Sequence, residues 1–365
     1  MRIVIAGGGT GGHLFPGIAL AEEFIRRDGR TNVLFIGTQR GLESRLLGGL
    51  GYELRTIDIE GVKGRGLKAL LKVFYRVPYS MWQSRKILQQ FRPHLVLGVG
   101  GYASGPAVLT AYLMAIPTAI AEQNVVPGVT NKILGNFAGK IFVTYSETEK
   151  WFSASRVVTS GNPVRAALTV SGAAGENFKN FRQLLIFGGS QGAQAINKSV
   201  VGMLPELKKM KQEVRILHQT GEKEKEAVRQ AYERYGIDAE VSSFIVDMAR
   251  AYRRADLIIC RAGATSLAEI TAAGKAAILI PYPFAANDHQ TKNARALAAA
   301  GAAVVIPESE LSGEKLFEAA AGLLADEKKL RQMEANSARL GNVRAAATIV
   351  DECLKLTAKN QVLDV

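Results

Sequence analysis

Short apolar runs alternate with longer amphipathic segments along the first half of the chain. Each run has strand length and is bounded by glycine, proline or polar residues, which predicts buried β-strands. Residues 17–27 and 67–90 carry apolar positions at helical spacing instead. This alternation is typical of a parallel sheet with helices on both faces, an α/β architecture. The predicted strands are residues 2–6, 33–36, 95–99, 118–121 and 141–144.

The same plan begins again near residue 183. QLLIFGGSQGAQAIN, from Gln183, has the strand, glycine-rich turn and helix of RIVIAGGGTGGHLFPG, from Arg2. The turn-like residues 161–165 and the polar residues 171–180 separate the halves. We therefore expect two Rossmann-like domains with a ligand crevice between them, at the carboxyl ends of the strands. Strands predicted in the second half are 214–217, 257–260, 277–280 and 303–306.

Composition supports a two-domain globular protein. A chain of 365 residues exceeds one ordinary core, and its 47% hydrophobic and 22% charged content suits a soluble fold. The two cysteines, Cys260 and Cys353, indicate neither a disulfide framework nor a zinc site. The N-terminus lacks the pattern of a signal peptide, so we expect the protein to stay inside the cell. Residues 93–121 carry no charged residue, but glycines and prolines divide them, which predicts strand, loop, helix and strand rather than a membrane span.

The first glycine-rich loop, GGGTGGH, ends at His13. Glycines after a strand allow close backbone approach to a ligand, and the following helix offers N–H groups to anionic oxygens. A turn that binds nothing and a dinucleotide fingerprint are the alternatives. Against the dinucleotide, the second predicted strand ends at Gly37 and Thr38 without an acid for a ribose. His13 is a candidate general base, or else a histidine that only caps or packs.

The second loop, GGSQGA, spans residues 188–193 and is also a candidate phosphate site. Ser190 adds a hydroxyl donor, and the helix expected from Gln191 adds its dipole. No Lys-Ser/Thr pair follows, so the loop is not of the Walker A type.

Further polar groups follow other predicted strands. Glu269, in CRAGATSLAEI, is placed to accept ribose hydroxyls, with a solvated surface glutamate as the alternative. Asp288 and Gln290 lie in PYPFAANDHQTKNA, whose polar groups suit sugar hydroxyls, although Asp288 is also a candidate helix cap. Glu122, Gln123 and Asn124 follow a strand of the first half, in AEQNVVPG, and are expected to face the crevice. No acidic or histidine cluster has the spacing of metal ligands, so we expect no metal and no cofactor.

Eight motifs together resemble the MurG family. They run from residue 8 to about residue 294 in the order that the family has: GGTGGH-x-x-P-G-x-A, GGYASGP, EQN-x-x-P-G-x-TN, GNPVR, GGSQGA, F-I-x-DM, C-R-AGA-x-x-x-x-E and D-x-Q-x-x-NA. The resemblance implies the GT-B glycosyltransferase fold, with two Rossmann-like domains whose parallel sheets face each other across a cleft. It implies residues 1–162 as the acceptor and membrane-associating domain and 163–340 as the UDP-sugar-binding domain. The helix at about 341–365 is expected to pack back on the first.

The resemblance also implies the reaction. The donor is UDP-N-acetylglucosamine, and the acceptor is lipid I, an undecaprenyl-pyrophosphoryl-N-acetylmuramyl-pentapeptide. The C4 hydroxyl of lipid I attacks the anomeric carbon with inversion and UDP leaves, giving lipid II. His13 is the first candidate for the base and Glu122 the second.

Family roles carry over residue by residue. Uracil is expected at Phe244 and Ile245, the ribose at Glu269, and N-acetylglucosamine at Gln290 and Asn124. The pyrophosphate is expected at Ser190, Gly192, Arg165, Gly263 and Ala264. The acceptor is expected at Thr10 and Tyr102, beside His13. Further substrate-binding positions are Gly11, Gly12, Met248 and Thr265. Two positions depart from the family: Ala121 stands where a histidine often precedes EQN, and Thr291 where a second glutamine can follow Gln290.

The charge of the chain is unevenly placed. The formal net charge is +13, no acid lies between Glu60 and Glu122, and residues 62–92 hold eight basic residues. Apolar residues recur there at helical spacing, interleaved with Lys68, Lys72 and Arg76. A basic, apolar helix suits an anionic membrane surface, which predicts peripheral attachment to the cytoplasmic face of the membrane. A crossover helix with an ordinary core face is the alternative.

Two other functions remain open from the residues alone. A UDP-N-acetylglucosamine 2-epimerase of the same fold would use the UDP-sugar without an acceptor. A basic nucleic-acid-binding protein would explain the charge, but no helix-turn-helix, zinc or RNA-binding motif is present, so we expect no nucleic-acid partner.

Overall fold

The β-strands form two sheets in a computed structural model, which describes residues 1–39, 41–60, 67–169, 181–189, 191–285 and 288–363. All strand pairs within these residues are parallel. The strands are β1 Arg2–Gly7, β2 Asn32–Gly37, β3 Glu53–Thr56, β4 Leu95–Gly100, β5 Thr118–Glu122, β6 Lys140–Val143, β7 Val157–Thr159, β8 Phe181–Phe187, β9 Glu213–Gln219, β10 Ala239–Ser242, β11 Leu257–Cys260, β12 Ala277–Leu279 and β13 Ala303–Val305.

Helices connect these strands, as the alternating pattern predicted. No helix of the described residues is both long and apolar enough to cross a bilayer. The helices are α1 Gly11–Arg27, α2 Glu43–Leu46, α3 Leu67–Phe91, α4 Ser104–Leu113, α5 Val129–Leu134, α6 Ala166–Thr169, α7 Gln194–Leu207, α8 Lys225–Tyr235, α9 Met248–Arg254, α10 Ala264–Ala272, α11 His289–Ala299, α12 Gly313–Ala325, α13 Glu327–Leu340 and α14 Ala345–Leu363.

The predicted strands are confirmed, and the strands that the pattern missed lie at sheet edges. The first sheet has the order β3-β2-β1-β4-β5-β6-β7, and the second has the order β10-β9-β8-β11-β12-β13. The missed strands are β3, β7 and β10. They are short and only partly buried, so they lack the apolar run of a central strand.

Two helices begin at residues that differ from the prediction. Helix α1 begins at Gly11 rather than residue 17, so its first turn consists of the residues that were expected to form a loop. Helix α7 begins at Gln194 rather than Gln191. Glycine and proline lower helix propensity, so a glycine-rich run is not predicted as helix from sequence even where the fold makes it the first turn of one.

The chain divides into two units. The first is Met1–Ala166 together with Val343–Val365, and the second is Ala167–Asn342. Helix α14 packs against α1 and β6 of the first unit. Its Glu352 accepts from Lys140 Nζ at 2.9 Å, and Asp351 pairs with Arg27 at 2.9 Å. Ile349, Val350 and Cys353 of α14 complete the buried cluster that contains Ile3 and Ile5 of β1.

Each sheet has one point where the chain reverses its winding. From β1 the chain proceeds outward to β2 and β3 and then returns to β4, on the other side of β1. The same reversal separates β8 from β11 in the second sheet. At such a point the connections from the two strands leave toward opposite faces of the sheet, and ligands of α/β proteins commonly bind at the carboxyl ends of these strands. Both glycine-rich loops of the sequence follow the first strand of such a pair.

A buried histidine stabilises the second unit. His218 of β9 is fully buried, with Nδ1 2.9 Å from the Tyr232 hydroxyl and Nε2 3.1 Å from Asn197 Oδ1. Asn197 in turn donates to Thr220 O at 2.9 Å and to Glu224 Oε2 at 2.6 Å. Burial lowers the pKa of His218 to about 3, because the charged imidazolium would lose its hydration.

The second unit is expected to lose stability as the pH falls below about 6.5, the ordinary pKa of histidine. Below that value the unfolded chain binds a proton that folded His218 does not, so unfolding is favoured by up to about 1.4 kcal/mol per pH unit. Hydrogen exchange of β8 and β9 peptides between pH 6.5 and 5, corrected for intrinsic rates, measures this slope. Peptides of β1 and β4 are the internal control. A slope that survives in His218→Asn would assign the effect to another group.

Candidate functional site

The loops that follow β1 and β4 contact each other through their backbones. A Cβ atom on Gly7 would lie 2.5 Å from Gly100 O, and one on Gly101 would lie 2.5 Å from Gly8 O. Any side chain would separate the loops, so these positions require glycine for close approach as well as for their positive φ angles. The motifs GGGTGGH and GVGGYASGP are thus brought together at the winding reversal of the first sheet.

His13 lies in the first turn of α1, with its ring held by two acceptors. Nδ1 lies 3.1 Å from Val99 O and 3.2 Å from Gln123 Oε1. Gln123 is oriented by its own donations from Nε2 to Val99 O at 3.2 Å and to Ala121 O at 3.3 Å. Both partners of Nδ1 are oxygens, so Nδ1 carries the proton and Nε2 keeps its lone pair. The arrangement leaves Nε2 as the basic atom of this histidine.

Glu122, the second candidate base, is buried and bonded to the loop that follows it. Only 3% of the residue is exposed. Oε1 accepts from Asn124 N at 3.0 Å and Asn124 Nδ2 at 3.1 Å, and Oε2 accepts from Gly128 N at 3.1 Å and Asn131 Nδ2 at 2.8 Å. These four donors occupy the acceptor positions of both carboxylate oxygens. Glu122 therefore shapes the loop and positions Asn124, and the geometry favours His13 as the base.

The other acceptor-side candidates lie at the start of α1 and in the loop after β4. Thr10 is the N-cap residue of α1, with an extended backbone, and its side chain makes no capping bond. Gly11 and Gly12 are the first two residues of the helix rather than loop residues. Tyr102 is exposed in the loop after β4. Their placement is compatible with a ligand at the N-terminus of α1.

The glycine loop of the second unit packs against the turn after β9. Gly192 has a φ of +76°, and a Cβ atom there would lie 1.9 Å from Thr220 O. This glycine therefore allows backbone packing between two loops, a role that the motif alone did not distinguish from ligand approach. Ser190 lies outside the described residues.

Gln219 connects this loop to the predicted uracil segment. Its Nε2 donates to Gly189 O at 2.7 Å, and its Oε1 accepts from Ile245 N at 3.2 Å. Ile245 and Met248 are buried, and Phe244 is partly exposed. One buried carboxamide thus fixes the distance between the candidate pyrophosphate and uracil segments.

Glu269 is buried, so the alternative of a solvated surface glutamate is wrong. Its Oε2 accepts from the Tyr252 hydroxyl at 3.1 Å. Burial raises the pKa of the Cys260 thiol, and the Glu269 charge adds to that rise. Helix α10 begins one residue after Gly263, its N-cap, with Ala264 and Thr265 buried in its first turn. The carboxylate lies within α10, and this helix follows β11 at the winding reversal of the second sheet.

The remaining donor candidates have partners within the protein. Gln290 Oε1 accepts from Tyr282 N at 2.9 Å. Asp288 occupies the N-cap position of α11, but its φ of +52° directs the side chain away from capping, and the predicted cap is wrong. Arg165 belongs to the first unit, where its guanidinium carbon lies 4.8 Å from the ring centre of Phe15.

Among the residues that the structure describes, no group of three or more histidine, cysteine or acidic side chains is placed to hold a metal ion.

Two positioning residues, Gln219 and Glu43, were not identified from the sequence. Gln219 is the last residue of β9, where a polar residue after an apolar run is an available indication. Glu43 contacts Thr38, five residues before it, and Gly9, 34 residues before it. Gln123 was expected to face the crevice, but its contact with His13 joins residues 110 apart in sequence, which no local pattern reveals.

Comparison with known proteins gives a consistent result along the chain. Residues 3–143 match the glycosyltransferase family 28 N-terminal domain, and residues 183–349 match the C-terminal domain of that family. The UDP-N-acetylglucosamine–N-acetylmuramyl-(pentapeptide) pyrophosphoryl-undecaprenol N-acetylglucosamine transferase of Syntrophus aciditrophicus is 53% identical, covering 98% of this chain and 99% of the relative. The Myxococcus xanthus protein of the same name is 48% identical, covering 98% and 93%.

Solved structures agree with these relatives. The crystal structure of Acinetobacter baumannii MurG has a TM-score of 0.73 and 32% identity, covering 97% of this chain and 99% of that one. A putative UDP-N-acetylglucosamine 2-epimerase from Listeria monocytogenes has a TM-score of 0.68 at 13% identity, covering 96% and 94%. The second likeness concerns the fold alone, which glycosyltransferases and epimerases of this kind share.

Proposed function

This chain belongs to the MurG family, within glycosyltransferase family 28, and from that premise we infer its reaction. It transfers N-acetylglucosamine from UDP-N-acetylglucosamine to lipid I, which gives lipid II and UDP in peptidoglycan biosynthesis. The observation that carries this function is the 53% identity to a transferase of that name over 98% of the chain. The GT-B fold and the two glycine-rich loops at winding reversals agree with it. The epimerase alternative has only the fold in its favour.

UDP binding is assigned to the second unit. Uracil lies at Phe244 and Ile245, and the ribose hydroxyls donate to Glu269. The pyrophosphate faces the loop of residues 188–192 and the N-terminus of α10, whose amides and dipole stabilise the charge that develops on UDP. Gln219 supports this arrangement because it holds Gly189 and Ile245 at a fixed separation.

The acceptor is assigned to the first unit, at Thr10, His13 and Tyr102. The C4 oxygen of the muramyl residue forms a bond to the anomeric carbon as the bond from that carbon to the phosphate oxygen breaks. UDP leaves with the electron pair, and the hydroxyl proton passes to His13 Nε2. This assignment is supported by the two hydrogen bonds that leave Nε2 as the basic atom.

The reaction is tested by incubating the protein with UDP-N-acetylglucosamine and a lipid I analogue. UDP release should depend on the acceptor and should persist in a chelator, because loop amides take the place of a metal. Conversion of the UDP-sugar without acceptor would favour the epimerase instead.

His13→Ala is expected to lower kcat by about 10²–10⁴-fold, the usual contribution of a general base. UDP affinity should be unchanged, because that ligand is assigned to the other unit. Steady-state kinetics at saturating acceptor measure the first quantity and calorimetry the second. Near-normal turnover of the variant would exclude His13 as the general base and favour Glu122 instead.

Glu269→Ala is expected to weaken UDP binding on the order of 10- to 100-fold, because two charge-assisted hydrogen bonds to the ribose are lost. Tyr252→Phe is the matched control, since it removes the partner of Glu269 inside the protein and leaves the carboxylate in place. Titration calorimetry with UDP compares the two. Equal losses of UDP affinity in both variants would mean that Glu269 is a structural partner of Tyr252 and does not bind the ribose.

Attachment to the anionic cytoplasmic face of the membrane is assigned to α3. Tyr75, Tyr79 and Trp82 are 73%, 39% and 49% exposed, and their rings stack in sequence at 6.3 and 5.7 Å. The Lys86 ammonium lies 3.7 Å from the Trp82 ring centre. The opposite side of the helix buries Ser80, Ser84 and Leu88. Aromatic and basic residues on one exposed face suit a lipid headgroup region.

Part of the sequence argument for this helix lies outside what the structure describes, namely the side chains of residues 67–74, including Lys68 and Lys72. Arg76 donates to Glu60 at 2.9 Å, so its charge is partly compensated. Arg85 and Lys86 are exposed beside the aromatic residues and carry the electrostatic part of the proposal. Because the anionic membrane accounts for the basic residues of this surface, the proposal assigns no nucleic acid to it.

Arg85→Glu/Lys86→Glu is expected to weaken binding to anionic vesicles by at least about 30-fold, since each basic residue lost removes about 1 kcal/mol near such a surface and each new carboxylate adds repulsion. Lys208→Glu/Lys209→Glu makes the same change of charge on the second unit and is the control. Co-sedimentation at low and high salt measures both, and UDP affinity should be normal in each. If the two variants sediment alike, α3 is not the attachment surface.

A further inference from the structure

A buried carboxylate accepts a hydrogen bond from the first glycine-rich loop. Glu43 is 1% exposed and is the first residue of α2. Its Oε2 accepts from Gly9 N at 2.7 Å, and its Oε1 accepts from Thr38 N at 2.8 Å and Thr38 Oγ1 at 2.9 Å. One side chain therefore joins the loop after β1 to the end of β2.

Three glycines make room for this side chain. Cβ atoms on Gly8, Gly37 and Gly41 would lie 2.5, 2.6 and 2.1 Å from atoms of Glu43. A side chain at any of these positions would force the Glu43 side chain to move, so the three glycines allow the carboxylate to keep its position. The loop and the residue that supports it thus form one packed unit.

The chemistry of the contact requires a carboxylate. Two main-chain N–H groups, on Gly9 and Thr38, each need an acceptor oxygen. A carboxamide has one oxygen and would direct its NH2 group at the other N–H. Glutamine at position 43 would fill the same space and still leave one buried donor unsatisfied, which is costly.

The place of this carboxylate differs from that of the acid in a dinucleotide-binding unit. There the glycine loop holds the pyrophosphate, and an acid at the end of the second strand holds the ribose. Here Glu43 lies against both segments, and its oxygens accept from the protein's own N–H and hydroxyl groups. Glu43 therefore joins the two segments to each other.

We propose that Glu43 is a positioning residue that sets the loop of residues 8–10, and with it Thr10 and His13, for the sugar acceptor. The inference rests on the proposed function for the identity of that acceptor. Glu43 does not touch the substrate; it acts through Gly9, one residue before Thr10. Loss of its carboxylate should therefore impair use of the acceptor and leave UDP binding in the second unit intact.

The test compares Glu43→Gln with Glu53→Gln, an exposed glutamate on β3 of the same unit. Glu43→Gln should lower kcat/KM for a lipid I analogue by about 10- to 100-fold, from one unsatisfied buried donor. Its UDP affinity should stay within about twofold of wild type, and Glu53→Gln should match wild type throughout. Thr38→Val, which removes only the hydroxyl bond, should lower kcat/KM by about 2- to 10-fold. If Glu43→Gln fails to fold, Thr38→Val takes its place in the test.

Hydrogen exchange separates this inference from the proposed function. The Gly9 and Thr38 amides should exchange faster in Glu43→Gln than in wild type, whatever the acceptor is. Acceptor kinetics like those of wild type in Glu43→Gln would mean that the side chain only fills space and would overturn the proposal. Equal losses of acceptor and UDP binding would overturn it as well. If wild type itself fails to use lipid I, the proposed function fails, and the exchange rates still decide the role of Glu43.

Discussion

Backbone-to-backbone contact between glycine loops is the constraint on which both sites depend. At the winding reversal of the first sheet, Gly7 and Gly101 lie so close to the opposite loop that no side chain fits. In the second unit, Gly192 has the same relation to the turn after β9. Because these loops touch, the residues that follow them occupy fixed positions relative to the strand ends. His13 in the first unit and the first turn of α7 in the second are placed by this packing.

Buried polar side chains then hold the loops that the glycines allow to meet. Glu122 accepts four hydrogen bonds from the loop that contains Asn124, and Gln219 joins the second glycine loop to Ile245. A loop lacks the internal hydrogen bonds of a helix or strand, so its buried N–H and C=O groups need other partners. Side chains with two hydrogen-bonding atoms satisfy such groups in pairs. Each therefore lowers the conformational freedom of a site residue without touching a substrate.

The hydrophobic pattern predicted the central strands well, because their burial on both faces leaves a continuous apolar run. It missed edge strands such as β3, where half of the side chains face solvent. The motifs located the site loops, but they could not separate glycines that approach a ligand from those that pack on backbone, as Gly192 does. They also did not reveal that Glu269 is buried against Tyr252, since that contact joins two helices. Distant contacts of this kind depend on the finished fold and have no local pattern in sequence.

The return of α14 to the first unit has a consequence for the order in which the protein is made. The second unit, Ala167–Asn342, is continuous in sequence, whereas the first needs the last 23 residues, Val343–Val365. Ile349 and Cys353 of that segment fill the same core as β1. During synthesis residues 1–166 therefore leave the ribosome well before α14, which completes their core. A chain that stopped before residue 343 would contain the whole second unit, but the core of its first unit would lack this helix.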